Sequence, residues 1–370
     1  MNKDIKGKYV LGLFDGKSTG QIAIRDRLGI DVAKYYASEK DPYAIKIAQK
    51  NYPDTIQLGD VNNWRDWDIE WQFVDLVMGG FPCQAWSVAG KQQGDRDPRG
   101  QLFWVMLDIM KHVMECNPNA KYLMENVRMS NAFEKYITHH TEQALPNVNK
   151  YLINSSLVSA QNRKRFYWTN IDGIEQPKDR GIVLKDILED GLTDRTKSHC
   201  LDANYFKGGN LKSYFEKHRR QLVFSPNGMC HVGDADLNGN QSIKRVYHED
   251  GKAPTLTTMG GGHREPKVLV KGARMVGRRL DATGTRKDHD KSIPIKQMIE
   301  VRDDDKTNCL TTVTKDSILV ENMSWRKLTP RECERLQTVP DGYTEGVSNT
   351  QRYKMLGNGW TVDVIAHILK

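Results

Sequence analysis

The chain has 370 residues, of which 38% are hydrophobic and 28% charged, so it can bury a full core in one large domain or two ordinary ones. No stretch approaches the length of apolar sequence that spans a membrane, and the first residues have no signal-peptide pattern, so we expect a cytoplasmic protein without a membrane anchor. The net charge of +8 and the isoelectric point near 9.0 are compatible with a polyanionic partner.

Strands and helices alternate along the first 170 residues. Short apolar runs predict strands, and stretches with apolar residues three and four positions apart predict helices between them. This alternation predicts an α/β fold with a doubly wound, mostly parallel sheet. The predicted strands are 9–14, 34–38, 73–80 and 120–126, and the predicted helices are 19–30, 41–53 and 101–116.

The loops that follow these strands should lie at one edge of the sheet, where such folds bind ligands. The first loop, FDGKSTG, has neither a Walker lysine nor a G-x-G-x-x-G pattern, so no phosphate cradle is indicated. Glu39 follows the second strand, where it could accept hydrogen bonds from ribose, and Asp60 could accept one from an adenine amine. Together the loops indicate an adenosine-containing ligand that has no pyrophosphate. The alternative is that the glycine only forms a turn and that Glu39 and Asp60 are ordinary surface acids.

Six cysteines are scattered along the chain without a C-x-x-C pair, which predicts reduced thiols and neither disulfides nor a metal site. Cys83 differs because it follows Pro82 at the predicted end of a strand. A thiolate there would be a strong nucleophile if nearby cations stabilised its charge. Arg163 and Arg165, within SAQNRKRFYW, are candidates for this, although such a run can also form a solvated face.

The sequence changes in character between residues 173 and 325, with many glycines and short β-like runs. From Lys244 to Lys287 there are eleven Lys and Arg against four Asp and Glu, which indicates either a phosphate-facing surface or a solvated insertion. Predicted helices at 329–337 and 361–370 return to the first domain. The predicted organisation is an α/β domain at 1–172 and 326–370, interrupted by a smaller β-rich domain at 173–325.

Six segments in this order resemble those of the DNA cytosine-5 methyltransferases, and the resemblance covers nearly the whole chain. The segments are FPCQAWSVAGK (81–91), DPRGQLF (97–103), MENV (124–127), QNRKR (161–165), RKLTPRECERLQTVPDGY (326–343) and LGNGWTVDVI (356–365). The resemblance implies a Rossmann-like class I methyltransferase fold with a target recognition domain. It further implies S-adenosylmethionine as methyl donor and a flipped-out cytosine of double-stranded DNA as substrate.

The resemblance also implies roles for individual residues. Cys83 would add to C6 of cytosine, and Glu125 would contact N3 and the exocyclic amine as a protonated carboxyl. Arg163 and Arg165 would hold the O2 side and the phosphate, and support the thiolate. Segment 84–100 would close over DNA. The implied donor-binding residues are Phe14, Gly16, Gly20, Glu39, Lys40, Asp60, Val61, Pro82, Leu102, Asn358 and Trp360. The implied DNA-binding residues are Gln84, Ser87, Lys91, Arg96, Arg99, Gln161, Gln241, Arg245, Thr255 and Leu256.

Two positions depart from the usual family pattern. The first loop reads FDGKSTG instead of Phe-x-Gly-x-Gly-Gly, and Gly359 stands where serine is usual. An RNA cytosine methyltransferase and a catalytically silent DNA-binding protein are the alternatives. We expect a monomer that acts at a short specific site, either alone or beside a cognate restriction endonuclease.

Overall fold

The computed structural model describes residues 7–82, 100–207, 214–215, 217–225, 231–234, 245–247, 267–268, 273–279, 285–287, 289–290, 292–301 and 324–370. Its largest element is a seven-stranded sheet in the order β3-β2-β1-β4-β5-β7-β6. The strands are parallel except β7, which is antiparallel to both β5 and β6. Their bounds are β1 Lys8–Leu13, β2 Val32–Ser38, β3 Ile56–Gln57, β4 Val74–Gly79, β5 Lys121–Val127, β6 Asn149–Asn154 and β7 Lys164–Thr169.

Helices connect these strands and continue after them. The first begins as α1 (Thr19–Gln21) and continues as a π-helical segment, Ile22–Arg27. The other α-helices are α2 Pro42–Asn51, α3 Leu102–Cys116, α4 Asn131–Ala144, α5 Leu184–Ile187, α6 Pro330–Leu336, α7 Asn349–Asn358 and α8 Val362–Ile368. Short 3₁₀ helices lie at Val61–Asp66, Trp71–Phe73, Ser155–Leu157 and Tyr205–Lys207.

Two of the helices begin with the caps that their sequences encode. The Asp41 carboxylate accepts a hydrogen bond from the Tyr43 amide at 3.0 Å, and Pro42 occupies the first position of α2. At α6 the Thr329 hydroxyl accepts from the Glu332 amide at 3.1 Å, while the Glu332 carboxylate accepts from the Thr329 amide at 2.7 Å. These reciprocal bonds satisfy amides that the helix itself cannot.

The predicted α/β class with a mostly parallel sheet is confirmed. Every predicted strand and helix of the first 126 residues is present with its ends within a few residues, although the second half of helix 19–30 is π-helical. The structure adds α4 and β6, which the sequence analysis does not identify. Helix α8 packs on the π-helical segment, where Asp363 and Arg27 form an ion pair at 3.0 Å.

The chain forms two compact units. The larger one extends to Glu189 and also includes Thr193–Leu222 and Lys327–Lys370; the smaller one comprises Asp190–Leu192 and Val223–Arg326. Much of segment 173–222, which the sequence analysis places in the inserted domain, therefore lies in the larger unit. Lys197 explains part of this, because its ammonium donates to the carbonyls of Ser156 and Ser159 at 2.6 and 3.1 Å.

The secondary structure described for the smaller unit consists of β-strands. Strand β10 is antiparallel to β9 and parallel to β11, β12 pairs with β13, and β14 pairs with β8. The bounds are β8 Leu222–Ser225, β9 His231–Asp234, β10 Arg245–Tyr247, β11 Lys267–Val268, β12 Ala273–Arg278, β13 Lys296–Val301 and β14 Ser324–Lys327. Within the described ranges, no helix has the length and hydropathy needed to cross a membrane.

Candidate active site

A cavity of about 570 Å³ opens at the carboxyl ends of β1 and β4. The sheet order reverses between these two strands, which is where doubly wound sheets bind ligands. The volume is within the range typical of small-molecule sites. Loops after β1, β2, β4 and β5 line it together with the end of α7, so the edge predicted from the sequence is the edge that carries the cavity.

Glu125 lies at the centre of this edge and has a donor on each carboxylate oxygen. Arg165 Nε is 2.9 Å from Oε1, and the Trp360 indole donates to Oε2 at 3.0 Å. Arg165 is paired with Val127, two residues beyond Glu125 on β5, so the two side chains are diagonal neighbours on one face. Glu125 is only 8% exposed. Its carboxylate is therefore held in a fixed position that faces the cavity.

Asn126 fixes the segment that leads to Cys83. Its side-chain amide donates to the Phe81 carbonyl at 3.1 Å, and its side-chain oxygen accepts from the Val127 amide at 2.7 Å. Pro82 lines the cavity one residue later. The backbone that enters the cysteine loop is thus attached to the strand that carries Glu125.

Arg163 has a different environment from the one expected from the sequence. It is 3% exposed, and its guanidinium donates to the carbonyls of Leu201, Gly357 and Gly359 at 3.0, 3.2 and 2.8 Å. Although Arg163 lines the cavity, these bonds direct most of its donors into the protein. Arg163 thereby attaches the C-terminal segment to the start of β7. The expected contacts with a base and a phosphate would need donors that are not used in this way.

Gln161 is also internal instead of facing DNA. Its side chain is fully buried and donates to the Leu336 carbonyl at 3.1 Å, while its oxygen accepts from the Leu201 amide at 2.8 Å. A buried amide with these partners holds three chain segments together. Its predicted contact with DNA is therefore not supported by its position.

The cavity end beside β2 carries the two acids expected to hold a nucleoside. Glu39 accepts from the amides of Gly16, Lys40 and Asp41 at 2.9, 2.8 and 2.8 Å, so it fixes the glycine loop as well as lining the cavity. Asp60 caps the 3₁₀ helix that follows β3 and accepts from the Asn62 amide at 3.0 Å. A carboxylate has about four acceptor positions, so each can accept further hydrogen bonds from a ligand.

Ten of the eleven predicted donor-binding residues line the cavity: Phe14, Gly16, Glu39, Lys40, Asp60, Val61, Pro82, Leu102, Asn358 and Trp360. Gly20 is not among them, because it is buried within α1. A Cβ at Gly20 would overlap with the Met78 side chain and lie 3.0 Å from the Tyr35 hydroxyl. This glycine is required for close packing of α1 and not for ligand contact.

Several predicted site residues lie outside the described residues: Cys83, Gln84, Ser87, Lys91, Arg96, Arg99, Gln241, Thr255 and Leu256. Arg245 lies at the start of β10, where the backbone is described. The roles of these residues stay predictions.

Nothing in the sequence distinguishes Cys200 from the other cysteines. Arg163 Nη1 lies 3.4 Å and Arg165 Nη2 3.8 Å from its sulfur. Desolvation by its neighbours opposes ionisation, but the positive charge and hydrogen bonds of both arginines outweigh it and lower the pKa of the thiol. The thiol is exposed, so solvent screens part of this effect. Only the folded chain brings Cys200 close to Arg163 and Arg165, so the sequence alone does not reveal this environment.

We expect brief alkylation with iodoacetamide at pH 7 to label Cys200 faster than Cys333, by at least about tenfold, because thiolate content and access control the rate. Cys333 is the matched control, since it is buried and burial raises the pKa of its thiol. Peptide mass spectrometry would measure both. Arg165→Ala should slow labelling of Cys200, and equal rates at the two cysteines would contradict this interpretation.

Comparison with known proteins agrees with this architecture. A family model of the C-5 cytosine-specific DNA methylases matches residues 10–370. The orphan methyltransferase M.SPBetaI of Bacillus phage SPbeta is 28% identical, over 98% of this chain and 96% of its own length. The type II methyltransferase M.BanI of Aneurinibacillus aneurinilyticus is 28% identical, over 93% of this chain and 90% of its own.

The fold also has a solved counterpart. The structure of the Entamoeba histolytica methyltransferase EhMeth aligns with a TM-score of 0.57 at 13% identity, over 98% of this chain and 97% of that one. The family match extends from β1 to the last residue of the chain and so includes every segment that lines the cavity. The chain therefore belongs to the C-5 cytosine-specific DNA methylase family and is a DNA cytosine-5 methyltransferase.

Proposed function

We propose that the enzyme transfers a methyl group from S-adenosylmethionine to C5 of a flipped-out cytosine in double-stranded DNA, through covalent addition of Cys83 to C6. The observation that carries this proposal is the fixed carboxylate of Glu125. It lies between Arg165 and Trp360 on the cavity edge, one strand away from the segment that leads to Cys83. That arrangement is suited to orienting a planar base that has entered the cavity.

The residues at the other end of the cavity fit the proposed donor. S-adenosylmethionine, when bound, would supply an electrophilic methyl group on a sulfonium. Glu39 and Asp60 retain acceptor positions for ribose hydroxyls and an adenine amine, and Phe14, Val61 and Leu102 provide apolar walls. The loop has no pyrophosphate cradle, which agrees with a nucleoside that carries an amino acid instead.

Cytosine C5 is too poor a nucleophile to take up a methyl group unaided, so Cys83 and Glu125 would have to activate it. The Cys83 thiolate would form a bond to C6, which moves the C5–C6 π electrons into the ring and makes C5 resemble an enamine. Glu125, as a protonated carboxyl, would donate to N3 and receive the exocyclic amine, so that charge developing on the ring is neutralised. After methyl transfer a base or water removes the C5 proton, the electron pair re-forms the C5–C6 bond, and the Cys83 sulfur departs.

The target base has to leave the helix for this chemistry, because its C6 face is inaccessible within a stacked duplex. Segment 84–100 follows Cys83 and contains Lys91, Arg96 and Arg99, which could bind phosphates when the segment closes over DNA. The positively charged sequence from Lys244 to Lys287 falls in the smaller unit and is proposed to contact the duplex. Specificity would then arise from side chains that reach base edges.

Trapping with a duplex that contains 5-fluorocytosine tests the covalent step. Fluorine at C5 cannot be removed as a proton, so the wild-type enzyme with S-adenosylmethionine should form a stable adduct visible by denaturing electrophoresis, whereas Cys83→Ala should form none. Cys200→Ala is the matched control and should retain the adduct. An adduct on RNA but not on DNA would overturn the proposed substrate, and an adduct with Cys83→Ala would overturn the proposed nucleophile.

A separate experiment tests whether the enzyme methylates one specific DNA sequence and whether it does so without a partner protein. The enzyme alone, expressed in a host without cytosine methylation, should methylate plasmid DNA at one short sequence, which bisulfite sequencing would map. Methylation with no sequence preference would contradict the proposal. Gel filtration at the concentration used for activity should give a monomer.

A further inference from the structure

Lys17 is a buried cation in the donor cavity to which neither the family resemblance nor the proposed mechanism gives a role. It lies in the loop after β1, is 1% exposed and lines the cavity together with Thr19 and Gly359. Its ammonium donates to the Thr19 hydroxyl at 3.1 Å, and no second partner is found within the part of the chain that the structure describes. A buried ammonium with one neutral partner is costly.

The other cations that line the cavity are already engaged. Arg165 pairs with Glu125, Lys354 Nζ lies 2.7 Å from an Asp41 oxygen, and Lys40 Nζ lies 4.0 Å from an Asp60 oxygen. Arg163 donates to three carbonyls. Among the described residues that line the cavity, Lys17 is thus the one cation with neither a carboxylate nor a carbonyl partner.

The two departures from the family pattern meet at this ammonium. Lys17 belongs to the unusual FDGKSTG loop, and Gly359 replaces the usual serine. A Cβ built on Gly359 would overlap with Lys17 Nζ and lie 3.0 Å from the Met355 carbonyl. The lysine ammonium therefore occupies the space in which a serine side chain would begin. A serine at position 359 and the Lys17 ammonium would therefore compete for the same space, and this chain has the ammonium there.

We propose that Lys17 is a further donor-binding residue, whose ammonium ion binds the carboxylate at the amino acid end of S-adenosylmethionine. This inference rests on the proposed donor. The acids Glu39 and Asp60 lie at the nucleoside end, so the anionic group of the donor requires a cation elsewhere in the cavity. Lys17 is buried, faces the cavity and has donors to spare, and a charge-assisted hydrogen bond to a carboxylate satisfies it.

The protonation state of Lys17 is set by its surroundings. Burial and the nearby charge of Arg163 lower its pKa to about 7, against the opposing effects of Glu334 and Asp15. Burial likewise raises the pKa of Asp15 to about 6. A bound carboxylate stabilises the ammonium, so donor affinity should be highest below pH 7 and should fall as pH rises through that value.

Calorimetry with two ligands tests the proposal. S-adenosylhomocysteine has the carboxylate, and its aminopropyl analogue lacks only that group. At pH 6.5, Lys17→Met should weaken binding of S-adenosylhomocysteine by about tenfold or more, while binding of the analogue changes less than about twofold. Lys8→Met, which removes a cation that pairs with Asp75 at 3.0 Å and does not line the cavity, should change neither. Equal weakening of both ligands by Lys17→Met would overturn the proposal.

A second pair of variants gives an independent readout. Gly359→Ser alone should weaken binding of S-adenosylhomocysteine, because serine displaces the ammonium, and the double variant Lys17→Met, Gly359→Ser should recover at least about fivefold of that loss. Simple addition of the two losses would contradict this competition for space. Failure of the wild-type enzyme to bind S-adenosylhomocysteine at all would instead reject the proposed donor.

The pH profile completes the test. Affinity of the wild-type enzyme for S-adenosylhomocysteine should fall between pH 6 and 8.5, and the affinity of Lys17→Met should stay level above pH 7. Free Lys17→Met should also unfold at a higher urea concentration than wild type at pH 6.5, because the buried ammonium of wild-type Lys17 regains its hydration only when the protein unfolds. That difference should shrink by pH 9. Unaltered profiles in both measurements would overturn the assignment.

Discussion

Replacing Glu125 with glutamine is expected to lower the rate of methyl transfer by about two to four orders of magnitude, the range typical of a lost general acid. Glutamine keeps the size of the side chain and an acceptor for Trp360, but it removes the carboxyl group that faces Arg165 and that we propose to be the donor to N3. Single-turnover methylation at saturating donor and DNA would measure the chemical step. Binding of S-adenosylhomocysteine should stay within about twofold, because β1 and β4 lie between the strand of Glu125 and the strand that Glu39 follows, and we propose that Glu39 binds the nucleoside.

Trp360→Phe is the matched control for this prediction. It removes one donor to Glu125 and leaves the carboxylate and its pairing with Arg165, so a loss of about tenfold is expected, as for one hydrogen bond. A Glu125→Gln enzyme that retains more than about a fifth of the wild-type rate would contradict a role in proton donation. A loss confined to donor binding would indicate that Glu125 belongs to the donor site instead.

Arg163→Ala should destabilise the protein by about 3 kcal/mol or more, because it leaves the buried carbonyls of Leu201, Gly357 and Gly359 without their donor. Urea unfolding monitored by tryptophan fluorescence would measure the change. Activity should fall in parallel with the folded fraction and should recover under stabilising conditions, for example at lower temperature.

Arg165→Ala should instead lower the catalytic rate more than it lowers the stability of the protein. The Arg165 side chain is more accessible than that of Arg163 and pairs with Glu125 at the cavity, so we expect a smaller loss of stability than for Arg163→Ala, because Glu125 keeps the Trp360 donor, together with a large loss of single-turnover rate. The two arginines are two positions apart in one motif, so the two alanine variants can be compared directly for their effects on stability and on rate. An unchanged unfolding midpoint for Arg163→Ala would contradict its role as a fastener of the C-terminal segment.

Most of the sheet could be predicted because its strands are short apolar runs that end at glycine or at a polar loop. Strand β6 gave no such signal, because it is an edge strand with Ile153 as its one buried residue. Helix α4 has apolar residues at helical spacing, among them Phe133, Tyr136 and Ile137, and a Ser130 N-cap, so its sequence contains a helical signal that the predicted elements leave out. The π-helical segment after α1 preserves the apolar spacing of an ordinary helix and cannot be told from one.

The sequence predicts which loops form the site. It does not predict the side-chain environments that tertiary contacts determine. Alternation along a strand would put Arg163 and Arg165 on the same face, but β7 begins only at Lys164. Arg163 lies before the first paired residue and turns toward the C-terminal segment. The bond between Glu125 and Trp360 joins residues 235 positions apart, and neither residue indicates the other in the sequence. Lys17 resembles a surface lysine until its burial is known.

The bond from Arg163 to the Gly359 carbonyl spans 196 positions of the chain, and this separation has a consequence for folding. Strands β1 to β7 end at Thr169 and can pair among themselves, whereas the cavity wall made by Asn358, Gly359 and Trp360 has to arrive after the whole inserted unit has been synthesised. Closing so long a loop is entropically unfavourable and slow. During refolding, recovery of ligand binding should therefore lag behind formation of the sheet, and a nascent chain would acquire its methyl donor only as its last helices dock.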